Sequence, residues 1–277
     1  MRFNIHFDAD RVMKTIEEIC RVSEFVDPVD PGWSNSWKME RYLCRGKRRL
    51  VVVSKQFEQL GYRTIIQEFD FGGLTATNAL FARGEISDGV ILFAAHHDYC
   101  AGLGAVDNAS ALAIMLELAR CLEERELGVV FASFDLEELD LNGSRHFVAS
   151  SVAKELRALS GVIALECLGS GRDVVICKEV AGAKSDPLLI ESLLRAGRKL
   201  GYRILSESFN WFNADHIPFA ERGIRTAEVC SFNSENYKGR PAPNVNVAHS
   251  SFDMPENVRP DTLKVVGEVL LQFLNDF

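Results

Sequence analysis

Residues 89–120 read GVILFAAHHDYCAGLGAVDNASALAIMLELAR. Seven residues with almost no polar atom are followed by a polar triplet, a glycine-bearing loop and a long apolar helix pattern. A short continuous apolar run bounded by such a loop is the signature of a strand buried on both faces. The same strand signal recurs at 62–70, 77–84, 128–134, 161–167, 173–178 and 225–232. Helical spacing of apolar residues marks 10–22, 37–60, 108–124, 144–159, 186–200 and 260–277. Alternation of the two patterns predicts an α/β three-layer sandwich, with a mostly parallel central sheet covered by helices on both faces. The turn-rich connector 27–36 and the segments 206–218 and 233–247 lack periodicity and read as loops, which in compact domains are often functional. No internal repeat or change of composition divides the chain, so residues 1–277 are expected to form a single domain.

The 277 residues carry 31 basic and 39 acidic side chains, a formal charge of −8, and 47% are hydrophobic. That composition builds a sizeable core and excludes a disordered chain. An acidic balance without clustered Lys and Arg argues against nucleic acid or an anionic membrane surface as partner. No apolar run reaches the ~18 residues of a membrane span. The amino terminus shows neither the apolar stretch nor the cleavage site of a secretory leader. Seven cysteines form no CxxC pair and no dense framework, so they read as reduced thiols and a cytoplasmic location is expected. Nothing here speaks to the oligomeric state.

In an open parallel sheet, ligands bind beyond the carboxyl ends of the strands. The strand at 89–95 ends in His96, His97 and Asp98. Side chains alternate along a strand, so His96 and Asp98 share a face and His97 takes the other. An imidazole with a carboxylate two residues on suits a metal ligand and the acid that orients it. Asp107 opens the following helix, a place where Asp is also an ordinary cap. The strand at 128–134 runs into DLEELD, where Asp135, Glu137, Glu138 and Asp140 crowd together. Such a run is usually a solvated loop, but at the end of a buried strand like charges repel unless a cation or proton intervenes. Glu166 ends the strand at 161–167, and His249 lies late in the chain. Together His96, Asp107, Glu138, Glu166 and His249 supply two imidazoles and three carboxylates, a set suited to Zn, Mn or Co. Five ligands exceed what one tetrahedral zinc uses, which points to two ions sharing a carboxylate.

The blocks HHD, GAVDNASALAIMLELAR, FASFDLEELDLNGSRHF, ALECLGSG, DHIPFAERGIRTAEV and AHSSFDMPENV resemble, in order, those of the dizinc exopeptidases of metallopeptidase family 28. The resemblance spans roughly residues 76–277. It implies that His96 and Glu166 hold one zinc, that Glu138 and His249 hold the other, and that Asp107 bridges them. It further implies that Asp98 orients His96, that Glu137 is the general base, and that the Asp107–Asn108 peptide bond is cis. Two positions depart from the pattern. Glu166 stands where family aminopeptidases commonly have Asp, and Ala111 follows Ser110 where Gly is usual. In a distantly related metallopeptidase family, Glu at the place of Glu166 is frequent among carboxypeptidases.

The function these readings imply is a metal-dependent aminopeptidase acting on short peptides. The alternatives are a glutaminyl-peptide cyclotransferase with one zinc, a carboxypeptidase, and an inactive binding module on the same fold. His6, His146 and His216 read as structural or surface residues. DHIPF, with Asp215 and His216, borders the substrate pocket in the family. Cys100 and Cys167 read as small hydrophobes beside the site. Phe209, Trp211 and Phe212 are core residues by default, with an apolar side-chain pocket as the other reading.

Overall fold

The apolar run that opens the sequence argument forms strand β3, Val90–His96, buried along its whole length. The structure is a computed structural model and describes residues 6–29, 36–84, 89–122, 128–150, 159–210, 212–233 and 247–277. Most of the connector 27–36, the ends of the helices read at 108–124 and 144–159, Trp211 and most of the loop 233–247 lie outside the described residues.

The remaining strands are β1 Arg63–Phe71, β2 Leu74–Ala82, β4 Val129–Phe134, β5 Leu159–Glu166, β6 Asp173–Val180, β7 Ala183–Lys184, β8 Leu205–Phe209 and β9 Thr226–Phe232. The helices are α1 Ala9–Arg21, α2 Ser36–Gln59, α3 Ser110–Cys121, α4 Asn142–Ala149, α5 Pro187–Lys199, α6 Ile217–Ala220 and α7 Pro260–Asp276. The nine strands form one sheet in the order β1-β2-β4-β3-β5-β9-β6-β7, with β8 beside β6. Its centre, β4-β3-β5-β9, is parallel. The β1-β2-β4 side and the β9-β6-β7 side are antiparallel, so the sheet as a whole is mixed. The expected three-layer sandwich forms around that centre. Ile91, Phe93 and Ala95 pack with α1, α2, α3, α5 and α7, while Leu92 and Ala94 pack with α4 and α6.

One expectation is corrected. Residues 206–218 read as loop, yet Leu205–Phe209 is a strand paired in parallel with β6. Ser206, Glu207 and Ser208 offer no apolar alternation, and the pairing comes from backbone groups that an edge position leaves to the neighbouring strand. Among the described residues no helix is long and apolar enough to cross a membrane.

Parallel register brings the chemistry to one edge. His96 is level with Phe134 at the end of β4. Ala94 is level with Ala164, and Glu166 with Cys230, so β3, β4, β5 and β9 finish together. Helix α3 is buried from Ser110 to Ala119. Its one charged buried side chain, Glu117, takes Arg11 Nε at 2.8 Å, which fastens α1 across it. Fully buried Arg49 of α2 lies 3.7 Å from the Tyr99 ring centre and donates to the carbonyls of Leu103 and Gly104. This fixes the loop between His96 and Asp107.

Gly143, at the start of α4, lets that helix seat against the acidic loop. A Cβ there would meet Asp135 O at 2.1 Å and Asn78 Oδ1 at 2.6 Å. Gly143→Ala is therefore expected to lower stability by about 1–3 kcal/mol through overpacking. The check is a lower denaturant midpoint at unchanged slope, and an unmoved midpoint would show that the backbone yields freely.

Candidate active site

At the shared strand edge, two histidines from distant parts of the chain meet one carboxylate. His96 Nε2 lies 3.1 Å from Asp107 Oδ1, and His249 Nε2 lies 3.1 Å from Asp107 Oδ2. Each imidazole also has a carboxylate of its own: Glu166 Oε2 at 3.4 Å from His96, and Glu138 Oε2 at 3.0 Å from His249. All five residues expected as ligands thus converge, with Asp107 in the middle. His96 is fully buried, whereas His249 sits at the exposed rim.

Asp107 is not a helix cap. The cap residue of α3 is Ala109, and Asp107 lies in the preceding turn with φ −117° and ψ 86°. The Asp107–Asn108 bond is cis, as the resemblance implies. Asp253 accepts from the backbone N–H groups of Val106 at 2.6 Å and Asp107 at 3.2 Å, which holds this turn in place. Asn108 Nδ2 donates to Glu166 Oε2 at 3.0 Å.

The acidic loop separates its charges by direction. Asp135 turns inward and accepts from Thr77 N at 3.0 Å, while Asp140 is exposed. Glu137 and Glu138 face the site. Their backbone N–H groups both donate to Asp98, each at 3.2 Å, and the Tyr42 hydroxyl donates to the same carboxylate at 2.7 Å. Asp98 therefore positions the loop as much as the imidazole. His96 Nδ1 is 3.4 Å from Asp98 Oδ1, and its hydrogen bond goes to the Asp98 backbone carbonyl at 3.1 Å. Tyr42 carried no sequence signal, and Asp253 stood in the block AHSSFDMPENV without an assigned role, since each acts through a contact distant in the chain.

Burial and like charge set the titration of the cluster. Burial drives Glu137 well above the carboxylate range and Glu166 to about 8, and both are held back by His96. Desolvation works against a charged His96, but the carboxylates of Glu166, Glu137 and Asp107 prevail and raise it. Glu138 raises His249 in the same way. Asp107, between two imidazoles, is lowered despite its burial. Asp215, buried nearby, rises to about 6 through desolvation.

His96 Nε2, Asp107 Oδ1 and Glu138 Oε1 are buried without a hydrogen bond although their neighbours are close. Donor atoms of His96, Asp107 and Glu166 lie within 4.8 Å of one another, as do those of Cys100, Glu138 and His249. Edges of 3.0–3.4 Å between nitrogen and oxygen atoms that do not bond each other fit ligands about 2.0–2.2 Å from a common cation. Cys100 is the third donor of the second group, beside the Glu138 carboxylate and the His249 imidazole.

A cavity of about 350 Å³ opens onto Asp107, Glu137, Glu138, Glu166 and His249, and its other walls include Phe209, Phe212 and Phe232. Two of the three aromatics of segment 209–212 thus line the cavity, and Trp211 lies outside the described residues. Of the other histidines, His97 is buried with Nδ1 2.8 Å from Ser133 Oγ, His146 stacks on Phe69, and His216 is buried 2.9 Å from Glu228.

A family profile described as Peptidase family M28 matches residues 79–274. Aminopeptidase YwaD of Bacillus subtilis (strain 168) is 28% identical over 185 residues, which are 65% of this chain and 39% of that protein. Leupeptin-inactivating enzyme 1 of Streptomyces exfoliatus is 26% identical over 184 residues, 64% of this chain and 41% of that protein. The chain thus spans about two fifths of the length of these relatives. Among solved structures, a zinc aminopeptidase from Bacillus subtilis superposes with a TM-score of 0.79 at 15% identity, covering 99% of this chain and 96% of that one. Porphyromonas gingivalis glutaminyl cyclase superposes with a TM-score of 0.77 at 18% identity, covering 98% of each chain. At those identities the likeness is one of fold.

Proposed function

The chain belongs to peptidase family M28, and from that premise we propose that it is a zinc-dependent exopeptidase, an aminopeptidase releasing the amino-terminal residue of short peptides. The observation that carries this reading is the division of Asp107, with one oxygen toward His96 and the other toward His249. In the proposed assignment His96 and Glu166 hold one ion, Glu138 and His249 the other, and Asp107 bridges them. Zinc bound there would supply Lewis acidity toward the scissile carbonyl and lower the pKa of water.

The chain's own groups do the rest. Glu137 lies 3.9 Å from His96 Nε2 on the cavity wall without being one of the five proposed ligands. A carboxylate on that wall, outside the ligand set, is placed to accept a proton from the attacking water and return it to the leaving amine. Asp98 keeps Glu137 and Glu138 at fixed height through their backbone N–H groups. The carboxylates attract a free α-ammonium, which favours a chain end over an internal bond. Phe209, Phe212 and Phe232 give the cavity an apolar side for the released residue. All seven cysteines are free, in keeping with a reducing, cytoplasmic setting.

A glutaminyl-peptide cyclotransferase with one zinc is the second reading, since such enzymes share the fold. Two separate His–carboxylate pairs on one bridging carboxylate favour the two-metal hydrolase. Chelated protein is expected to regain full activity on aminoacyl amides only after at least about two equivalents of zinc, and to ignore peptides with a blocked amino terminus. Full recovery at one equivalent, with conversion of amino-terminal Gln peptides, would overturn the proposal.

A further inference from the structure

Behind the cavity wall lies a second group of ligating side chains. Strands β6 and β9 are antiparallel, with Cys177 opposite Glu228. Cys230, two residues further along β9, points to the same face. The two Sγ atoms are 3.6 Å apart. Cys177, Glu228 and Cys230 each offer a donor atom within 4.8 Å of the others. His216, at the turn leading into α6, brings Nδ1 to 2.9 Å from Glu228 Oε2. Cys177, Glu228 and His216 are completely buried, and Cys230 is 3% exposed.

Val175, Val180, Ile217 and Phe232 belong to the apolar cluster around the group, and Glu166 stands level with Cys230 on the neighbouring strand. Yet both carboxylate oxygens of Glu228 and both ring nitrogens of His216 make no hydrogen bond, despite the short distance between them. Buried charges in such surroundings are paired with good geometry or ligate a metal. Two thiols and a carboxylate from two paired strands form a mixed set of the kind that selects zinc over hard cations, with His216 placed against the carboxylate. Two thiolates bound at ~2.3 Å to one tetrahedral ion would stand about 3.8 Å apart, close to the observed separation.

We propose that Cys177, Cys230 and Glu228, with His216 set against Glu228, form a structural site for a thiophilic divalent cation of the zinc type, distinct from the five-residue cluster at Asp107. Binding exchanges two thiol protons, released to solvent, for the ion. No bond is oxidised or reduced. The site ties β6, β9 and the turn before α6 together behind Cys230, which borders the substrate cavity.

Cobalt(II) tests this on the full chain, stripped of metal and reloaded. A sulfur-to-cobalt charge-transfer band is expected, and it should survive replacement of Cys44, Cys100 and Cys167 by alanine, because those thiols lie elsewhere. Cys177→Ala should abolish the band and lower the zinc content by about one equivalent per chain. The same variant should still need two equivalents for activity, so this site and the catalytic reading fail separately. No band in the wild-type chain, or a band lost with Cys44, Cys100 and Cys167, would overturn the proposal. If Cys177→Ala fails to fold, the wild-type spectrum and the Cys44, Cys100 and Cys167 variant decide the matter alone.

Discussion

Glu137→Gln is expected to lower turnover by about 10²- to 10⁴-fold while zinc content stays at the wild-type level. The amide keeps the shape and the cavity wall but cannot take a proton. None of the five proposed metal ligands is removed, and the backbone bonds from residues 137 and 138 to Asp98 remain. A solvated acidic loop predicts instead that the exchange hardly matters. Glu138→Gln supplies the contrast. It replaces the anion 3.0 Å from His249 Nε2 by a neutral group, so one ion should bind more weakly and excess zinc should restore part of the activity. The pair is read by steady-state turnover beside metal analysis. Near-normal turnover of Glu137→Gln on the best substrate would remove it from the proposed mechanism even in a chain that binds two ions.

Asp107→Asn should be the more damaging change for metal binding, with both ions weakened at once. Its two oxygens each stand 3.1 Å from a different histidine, and substitution removes the shared charge and one acceptor together. The loss of activity at limiting zinc should exceed the ~10- to 100-fold typical of losing a partner that only orients a ligand. Because Asp253 holds the backbone of residues 106 and 107, the turn itself should persist. Zinc titration followed by metal analysis checks this. Retention of one ion at wild-type affinity would show that Asp107 serves a single metal and does not bridge.

Part of this candidate site was legible along the chain because His96 and Glu166 end strands, whereas Asp107 and His249 lie in turns. A strand buried on both faces announces itself by unbroken apolar composition, and the polar residue that terminates it, His96 or Glu166, falls at the sheet edge by construction. The crowd of acids after β4 was likewise visible, since several negative charges at the mouth of a buried strand need a reason. Periodicity failed where no periodicity exists. Leu205–Phe209 is held in the sheet by pairing with β6 while its own side chains remain mixed.

Local pattern therefore suffices for the α/β layering, for the strand ends at which the candidate residues fall, and for the residue types gathered there. All of these follow from local patterns of two to about four residues. The tertiary structure decided which oxygen of Asp107 faces which histidine, that Tyr42 and Asp253 support the carboxylate framework, and that Cys177 meets Cys230 and Glu228 beside His216. Those contacts join residues up to 147 positions apart, and they exist only once strand register and helix seating have brought distant segments together. Register is a property of pairs of strands, so no single stretch of sequence contains it.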